Sequence, residues 1–131
     1  MEVIELEGED PRLYDLVARL VMNPQVLRYN QNYPFRTSQE YRWFVATEAG
    51  ETIGFLPVKL VDGKAVLNNY YVCGDDRNVF SALLAGAVQG LAKDFFLEAV
   101  VQSSHVGFFE KSGFSVAHYW KRFAKMIYRK E

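Results

Sequence analysis

Hydrophobic and polar positions change period several times along this chain, and each change marks an element. Val3, Ile4 and Leu6 stand in an acidic opening stretch that reads as a short first strand. Asp10-Pro11 then reads as a helix start, because Asp can accept from free backbone N–H groups and proline suits the first helical position. Leu13, Leu16, Val17, Leu20 and Val21 follow as one apolar stripe at i, i+3, i+4, i+7 and i+8. Asn23-Pro24 interrupts that pattern, and the polar-aromatic stretch up to Pro34 reads as a second short helix or an irregular loop. Beyond Ser38 the period shortens. Trp43–Ala46 and Thr52–Leu56 read as strands around the turn Glu48-Ala49-Gly50-Glu51, and Pro57–Val61 continues extended. Asp62-Gly63 is a hairpin signal, and Ala65–Val72 is the next strand.

Gly74-Asp75-Asp76 breaks that strand, and a helix follows, capped at Asn78 or a close neighbour and striped by Leu83, Leu84, Ala87, Val88 and Leu91. Phe96–Val101 is a buried strand. Ser103 and Ser104 are placed to cap a short helix through Phe108–Lys111, with Gly113 as its stop. Phe114–Tyr128 supplies one long or two short final strands. The order β, α, (α), β, β, β, α, β, α, β, β predicts a single α/β (α+β) domain over residues 1–131. It is built on one mixed, mostly antiparallel sheet with helices on both faces. The helix joining the fourth and fifth strands implies a right-handed parallel crossover, which draws attention to 71–81 and 102–109 at the strands' carboxyl ends.

Composition narrows the function classes. Half of the 131 residues are hydrophobic and the formal net charge is -1, so the chain can bury a core and lacks the basic footprint of a nucleic-acid binder. One cysteine excludes an internal disulfide framework and a cysteine-cluster zinc site, and it suits a reducing compartment. Two widely spaced histidines make no metal site. Without a long apolar run or a basic leader, the expectation is a cytoplasmic protein with no membrane association.

Phe108-Phe109-Glu110-Lys111-Ser112-Gly113-Phe114 resembles the aromatic-Tyr-Glu-Lys-x-Gly-Phe segment of the GNAT superfamily of N-acetyltransferases. The strand ending Tyr70-Tyr71-Val72, its polar turn and the helix carrying Leu83-Leu84 resemble that family's acetyl-CoA region. The resemblance spans nearly the whole chain and implies acetyl-CoA as cosubstrate, no metal, and transfer of acetyl to a small-molecule or protein amine by direct attack. It implies that the backbone of Tyr71, Val72 and Cys73 meets the pantetheine, that Arg77, Asn78, Val79, Phe80 and Ser81 hold the pyrophosphate, and that Ser103, Ser104 and Phe109 border the thiol end. The departures are as informative. Asp75 stands where the family has Arg or Gln, and Asn78 and Phe80 replace two small residues that let a backbone approach phosphate. Phe109 stands where many relatives have a proton-donating Tyr, and the fourth strand holds no acid. These departures support an alternative: a catalytically degenerate binding or interaction module on the same fold.

Among single residues, His105 at the last helix's start could serve as acid or base, or simply bond to backbone. Asn69 is the other catalytic candidate. With Asn68 it places adjacent amides on opposite faces of a strand, either toward a cleft or at an irregularity where strands splay. Cys73 is an acyl carrier or a small apolar residue, and His118 is a strand residue. Tyr29, Tyr33, Phe35, Tyr41 and Trp43 form an acceptor wall or ordinary packing, and Tyr119–Arg122 a second wall or a homodimer surface. Position 109 is expected to border a solvent-filled cleft.

Overall fold

The alternation along the second and third strands divides the hydrophobic interior into two cores. In the computed structural model, which describes residues 1–129, the chain runs β1 (Glu2–Glu7), α1 (Pro11–Val21), α2 (Pro24–Tyr29), β2 (Tyr41–Glu48), β3 (Glu51–Val61), β4 (Lys64–Leu67) and β5 (Tyr71–Val72). It continues through α3 (Arg77–Leu91), β6 (Phe96–Gln102), α4 (Val106–Glu110), β7 (Phe114–Tyr119) and β8 (Phe123–Tyr128), with 3-10 turns at Cys73–Asp75 and Ser103–His105. On one face Trp43, Val45 and Phe55 pack with Leu13, Val17 and Val26 of α1 and α2. On the other, Phe44, Ala46 and Leu56 join Leu83, Leu84 and Ala87 of α3. Side chains one residue apart point to opposite faces, so one run of apolar residues feeds both cores.

The strands form one eight-stranded sheet in the order β1-β2-β3-β4-β6-β8-β7, with β5 beside β3. The strands flanking Asp62-Gly63 are antiparallel neighbours, as the hairpin signal requires, and β4 runs parallel to β6 through the α3 crossover. The final segment is two strands rather than one, paired antiparallel. Both helical faces and the mostly antiparallel sheet agree with the expected architecture.

One strand departs from expectation. Ala65–Val72 is not continuous: β4 ends at Leu67, Asn69 takes a left-handed φ of 57°, and β5 resumes at Tyr71. Asn tolerates that conformation better than most residues. β3 pairs with β5 at Gly54 and Phe55, and with β4 from Val58 onward. Leu56 and Pro57 fall in the interval between, so a proline that lacks an N–H sits where β3 has no neighbour on that side. Gly54 serves the same junction. A Cβ there would come within 3.0 Å of both Tyr71 O and Val79 Cγ1, so glycine lets β5 and α3 close onto β3.

The cap of α3 is Asp76, a close neighbour of Asn78, its side chain accepting from the amides of Asn78 and Val79. Ser103 and Ser104 do not cap α4; they lie in a 3-10 turn, and α4 starts without a side-chain cap.

Candidate functional site

The break at 68–70 separates β5 from β6, since the parallel pairing stops at Leu67 opposite Ala99 while β6 continues to Gln102. This is the splay to which a ligand between these strands would come. Three amides build it. Asn68 Oδ1 accepts from the Asn69 amide at 2.8 Å, and Asn30 Nδ2 donates to Asn69 Oδ1 at 3.1 Å and to Tyr33 O at 3.0 Å. Asn30, only 6% exposed, thereby ties the end of α2 to the strand break.

The gap itself is filled by the chain's own side chains. Tyr70, buried at 3% exposure, reaches across so that the Gln102 amide donates to its hydroxyl at 3.0 Å. The same hydroxyl lies 2.7 Å from His105 Nδ1, and His105 Nε2 lies 3.1 Å from Asp75 Oδ1. Tyr29 donates its hydroxyl to Asp75 Oδ1 at 2.8 Å and stacks on the His105 ring with centroids 5.6 Å apart. Its own carbonyl accepts from Gln102 Nε2 at 2.7 Å. One proton assignment satisfies every member: Gln102 N–H to Tyr70, the Tyr70 hydrogen to Nδ1, and the Nε2 hydrogen to Asp75. No buried side-chain N or O among the described residues lacks a partner.

Burial pushes the Tyr70 phenol well above its ordinary pKa, with the Gln102 amide acting in the opposite sense. The Tyr29 phenol is raised too, first by burial, then by the Asp75 carboxylate it bonds. Tyr71 is pushed up to about 12, chiefly by burial and then by its bond to the Cys73 side chain.

The helix end beside the gap is equally self-contained. Asp76 Oδ1 accepts from Asn78 N at 2.8 Å and Val79 N at 3.2 Å. These are amides an incoming anion would use. Arg77 and Ser81 are exposed, whereas Val79 and Phe80 turn into the core, where Phe80 stacks on Phe108 at 4.5 Å. Cys73 is exposed after β5. Ser103 and Ser104 are exposed, and the Ser103 amide is bonded to Arg122 O. Phe109 does not border solvent: it is 1% exposed and packs on Tyr70 and Phe114.

The open space lies on the other side of the break. A cavity of about 440 Å³ is bounded by Asn68, Asn69 and Val100 of the sheet, by Tyr33 and Arg36 of the α2–β2 loop, and by Trp120 of the β7–β8 turn. The aromatic expectations divide here. Tyr33 lines this cavity, Trp43 and Phe35 pack in the α1 core, and Tyr29 closes the strand gap. Sequence reasoning placed His105 near the cleft but missed its partners. Tyr29, Tyr70, Asp75 and Gln102 meet across separations of 32 to 73 residues, and no local pattern encodes such meetings.

No protein-family model matches the chain, and no curated protein matches it in sequence. Solved structures do match. ElaA of Escherichia coli superposes with a TM-score of 0.77 at 14% identity, over 98% of this chain and 99% of that one. An acyl-CoA N-acyltransferase from Pseudomonas aeruginosa gives 0.75 at 16% identity, over 98% and 100%. The PaiA N-acetyltransferase of Thermoplasma acidophilum, solved in complex with coenzyme A, gives 0.64 at 16% identity, over 99% and 100%. The chain therefore has the GNAT acyl-CoA N-acyltransferase fold, as its Phe108–Phe114 segment led one to expect.

The start of α3 suits a pyrophosphate poorly as folded: the amides of Asn78 and Val79 already hold Asp76 Oδ1, and Asp75 and Asp76 put two carboxylates beside them. Among the described residues no cluster of three or more His, Cys, Asp or Glu could hold a metal ion, and no helix is long and apolar enough to cross a membrane.

Proposed function

We propose that this chain is a GNAT-fold binding module in which the strand gap is a structural joint and the open cavity beside it is the ligand site. One observation carries the reading: the donors of the gap are satisfied by Tyr70 and Asp76 of the chain itself. Opening the gap would strip a part-buried amide and a buried imidazole of their partners, and each unsatisfied buried group costs about 1–3 kcal/mol. Retention of the fold without its usual chemistry is physically ordinary, since function lives in the site rather than the scaffold. We further take the chain as one domain working in a reducing, cytoplasmic setting, where the exposed thiol of Cys73 persists. Its partner in this reading is a small molecule.

The test is thermal denaturation with and without acetyl-CoA, beside an assay of acetyl transfer to small amines and peptides. A ligand that binds only the folded state raises its apparent stability. The expected result is an unchanged Tm at millimolar acetyl-CoA and no acetylated product. A raised Tm with product formation would overturn the proposal in favour of a second reading: acetyl transfer from acetyl-CoA to an amine. That reading is favoured by the likeness to solved N-acyltransferases over nearly the whole chain and by the splay itself. It requires Tyr70 to swing out of the gap and Asp76 to release α3.

A further inference from the structure

The cavity beside Asn68 and Asn69 has a one-sided chemistry. Its hydrogen bonds orient the two amides: Asn68 Oδ1 and Asn69 Oδ1 are each taken by an internal donor, so the Nδ2 ends are the ones without an internal partner among the described residues. Arg36 adds a guanidinium that makes no ion pair among those residues. None of the lining residues is Asp, Glu or His. The rest of the lining includes the rings of Tyr33, Trp120 and Phe123 and the apolar Val100. Tyr33 is 60% and Trp120 48% exposed, although aromatic rings gain from being covered. A lining with amide donors, a single cation, no acid and aromatic rings selects against amines and for an anion with an apolar body. One guanidinium with two neutral amides matches the single charge and planar fork of a carboxylate better than a phosphate dianion.

We infer that this cavity binds a small carboxylate carrying an aromatic or otherwise apolar body, its carboxyl group held by Arg36 and the Nδ2 groups of Asn68 and Asn69. This names the ligand class of the module proposed above and rests on that reading of the cavity as the binding site. A polycationic amine has nothing in the cavity to pair with.

Three probes share one body and differ in the head group: 3-phenylpropionate, 3-phenylpropionamide and 3-phenylpropylamine. Binding to the full chain is followed at neutral pH, without any acyl donor, by titration calorimetry and by the side-chain NH₂ and indole N–H signals in ¹H–¹⁵N spectra. The carboxylate is expected to bind about tenfold tighter than the amide, the worth of a charge-assisted bond at a partly open site, and the amine not at all. Its titration should move the Asn68, Asn69 and Trp120 side-chain signals. Arg36→Gln should lower carboxylate affinity by about tenfold and leave amide affinity unchanged. Arg36 is exposed, so this variant keeps the fold, and an unchanged Tm verifies it. Amine binding equal to carboxylate binding, equal affinity for all three probes, or no effect of Arg36→Gln would each overturn the inference. The acetyl-CoA experiment is separate. Acetyl-CoA binding together with carboxylate selectivity would leave this inference standing and remove the closed-gap reading. No carboxylate binding without acetyl-CoA binding would do the reverse.

Discussion

The two sides of the strand break at Asn68–Tyr70 are built from similar residues and end in opposite states. Toward α3 and α4, tyrosine, histidine, aspartate and glutamine use one another completely, and the gap between β5 and β6 is closed. Away from them, one arginine, three amides and three aromatic rings line about 440 Å³ of space, with the Nδ2 ends of Asn68 and Asn69 free of internal partners among the described residues. The difference shows that a fold's usual cleft can become a joint once its donors acquire internal partners. Binding capacity then moves to wherever polar groups remain unsatisfied.

Alkaline titration separates the two sides most widely. Tyr29 and Tyr70 both have phenols raised above the ordinary value of about 10. Their contribution is fully present below pH about 10 and is lost as pH rises above it, because the unfolded chain then releases protons that the folded chain retains. Stability should fall by about 1.4 kcal/mol per pH unit for each phenol that stays protonated. Denaturant titrations between pH 9 and 11.5 check this. The Tyr70→Phe variant should show a shallower slope.

At neutral pH, Tyr70→Phe should destabilise the chain by about 3 kcal/mol, because it orphans the part-buried Gln102 amide and the buried His105 Nδ1 together. Equilibrium unfolding measures it, and a loss below about 1 kcal/mol would mean that the joint is not closed in solution. A smaller effect is expected at the helix end. Asp76→Ala should cost about 1 kcal/mol as a lost N-cap. It should also give the protein a rise in Tm with added phosphate that wild type lacks, since the Asn78 and Val79 amides are freed. The least effect belongs to the open side. Arg36→Gln should change stability by no more than about 0.5 kcal/mol, as exposed positions away from the core do.

Phe109 shows how the comparison revises a local inference. Its segment is family-like, and a tyrosine there would ordinarily meet a cleft. In this chain the ring is buried between Tyr70 and Phe114, so Phe109→Tyr would place a hydroxyl in a filled interior. The variant is expected to lower Tm rather than to be neutral, since burying an unpartnered hydroxyl costs about 1–3 kcal/mol.

Apart from the break within Ala65–Val72, the sequence by itself determined the element order, the hairpin at Asp62-Gly63 and the parallel crossover. Those features follow from periodicity and turn chemistry, which act over a few residues, while the particular fold was expected from the resemblance carried by Phe108–Phe114. The sequence also drew attention to Asn68, Asn69, His105 and the stretch from Tyr71 to Ser81, which lie around the strand break. Only the tertiary structure decided whether that neighbourhood is open. Whether Asp76 caps a helix or yields to an anion depends on where α3 begins. Whether Tyr70 fills the gap depends on Asn69 turning left-handed and on β6 presenting Gln102 opposite it. Tyr29 closes the network only because α2, joined through Asn30, lies over the break. Hydrogen bonds of this kind join residues distant in sequence, with no period and no local signature, and become visible only when the strands are in register.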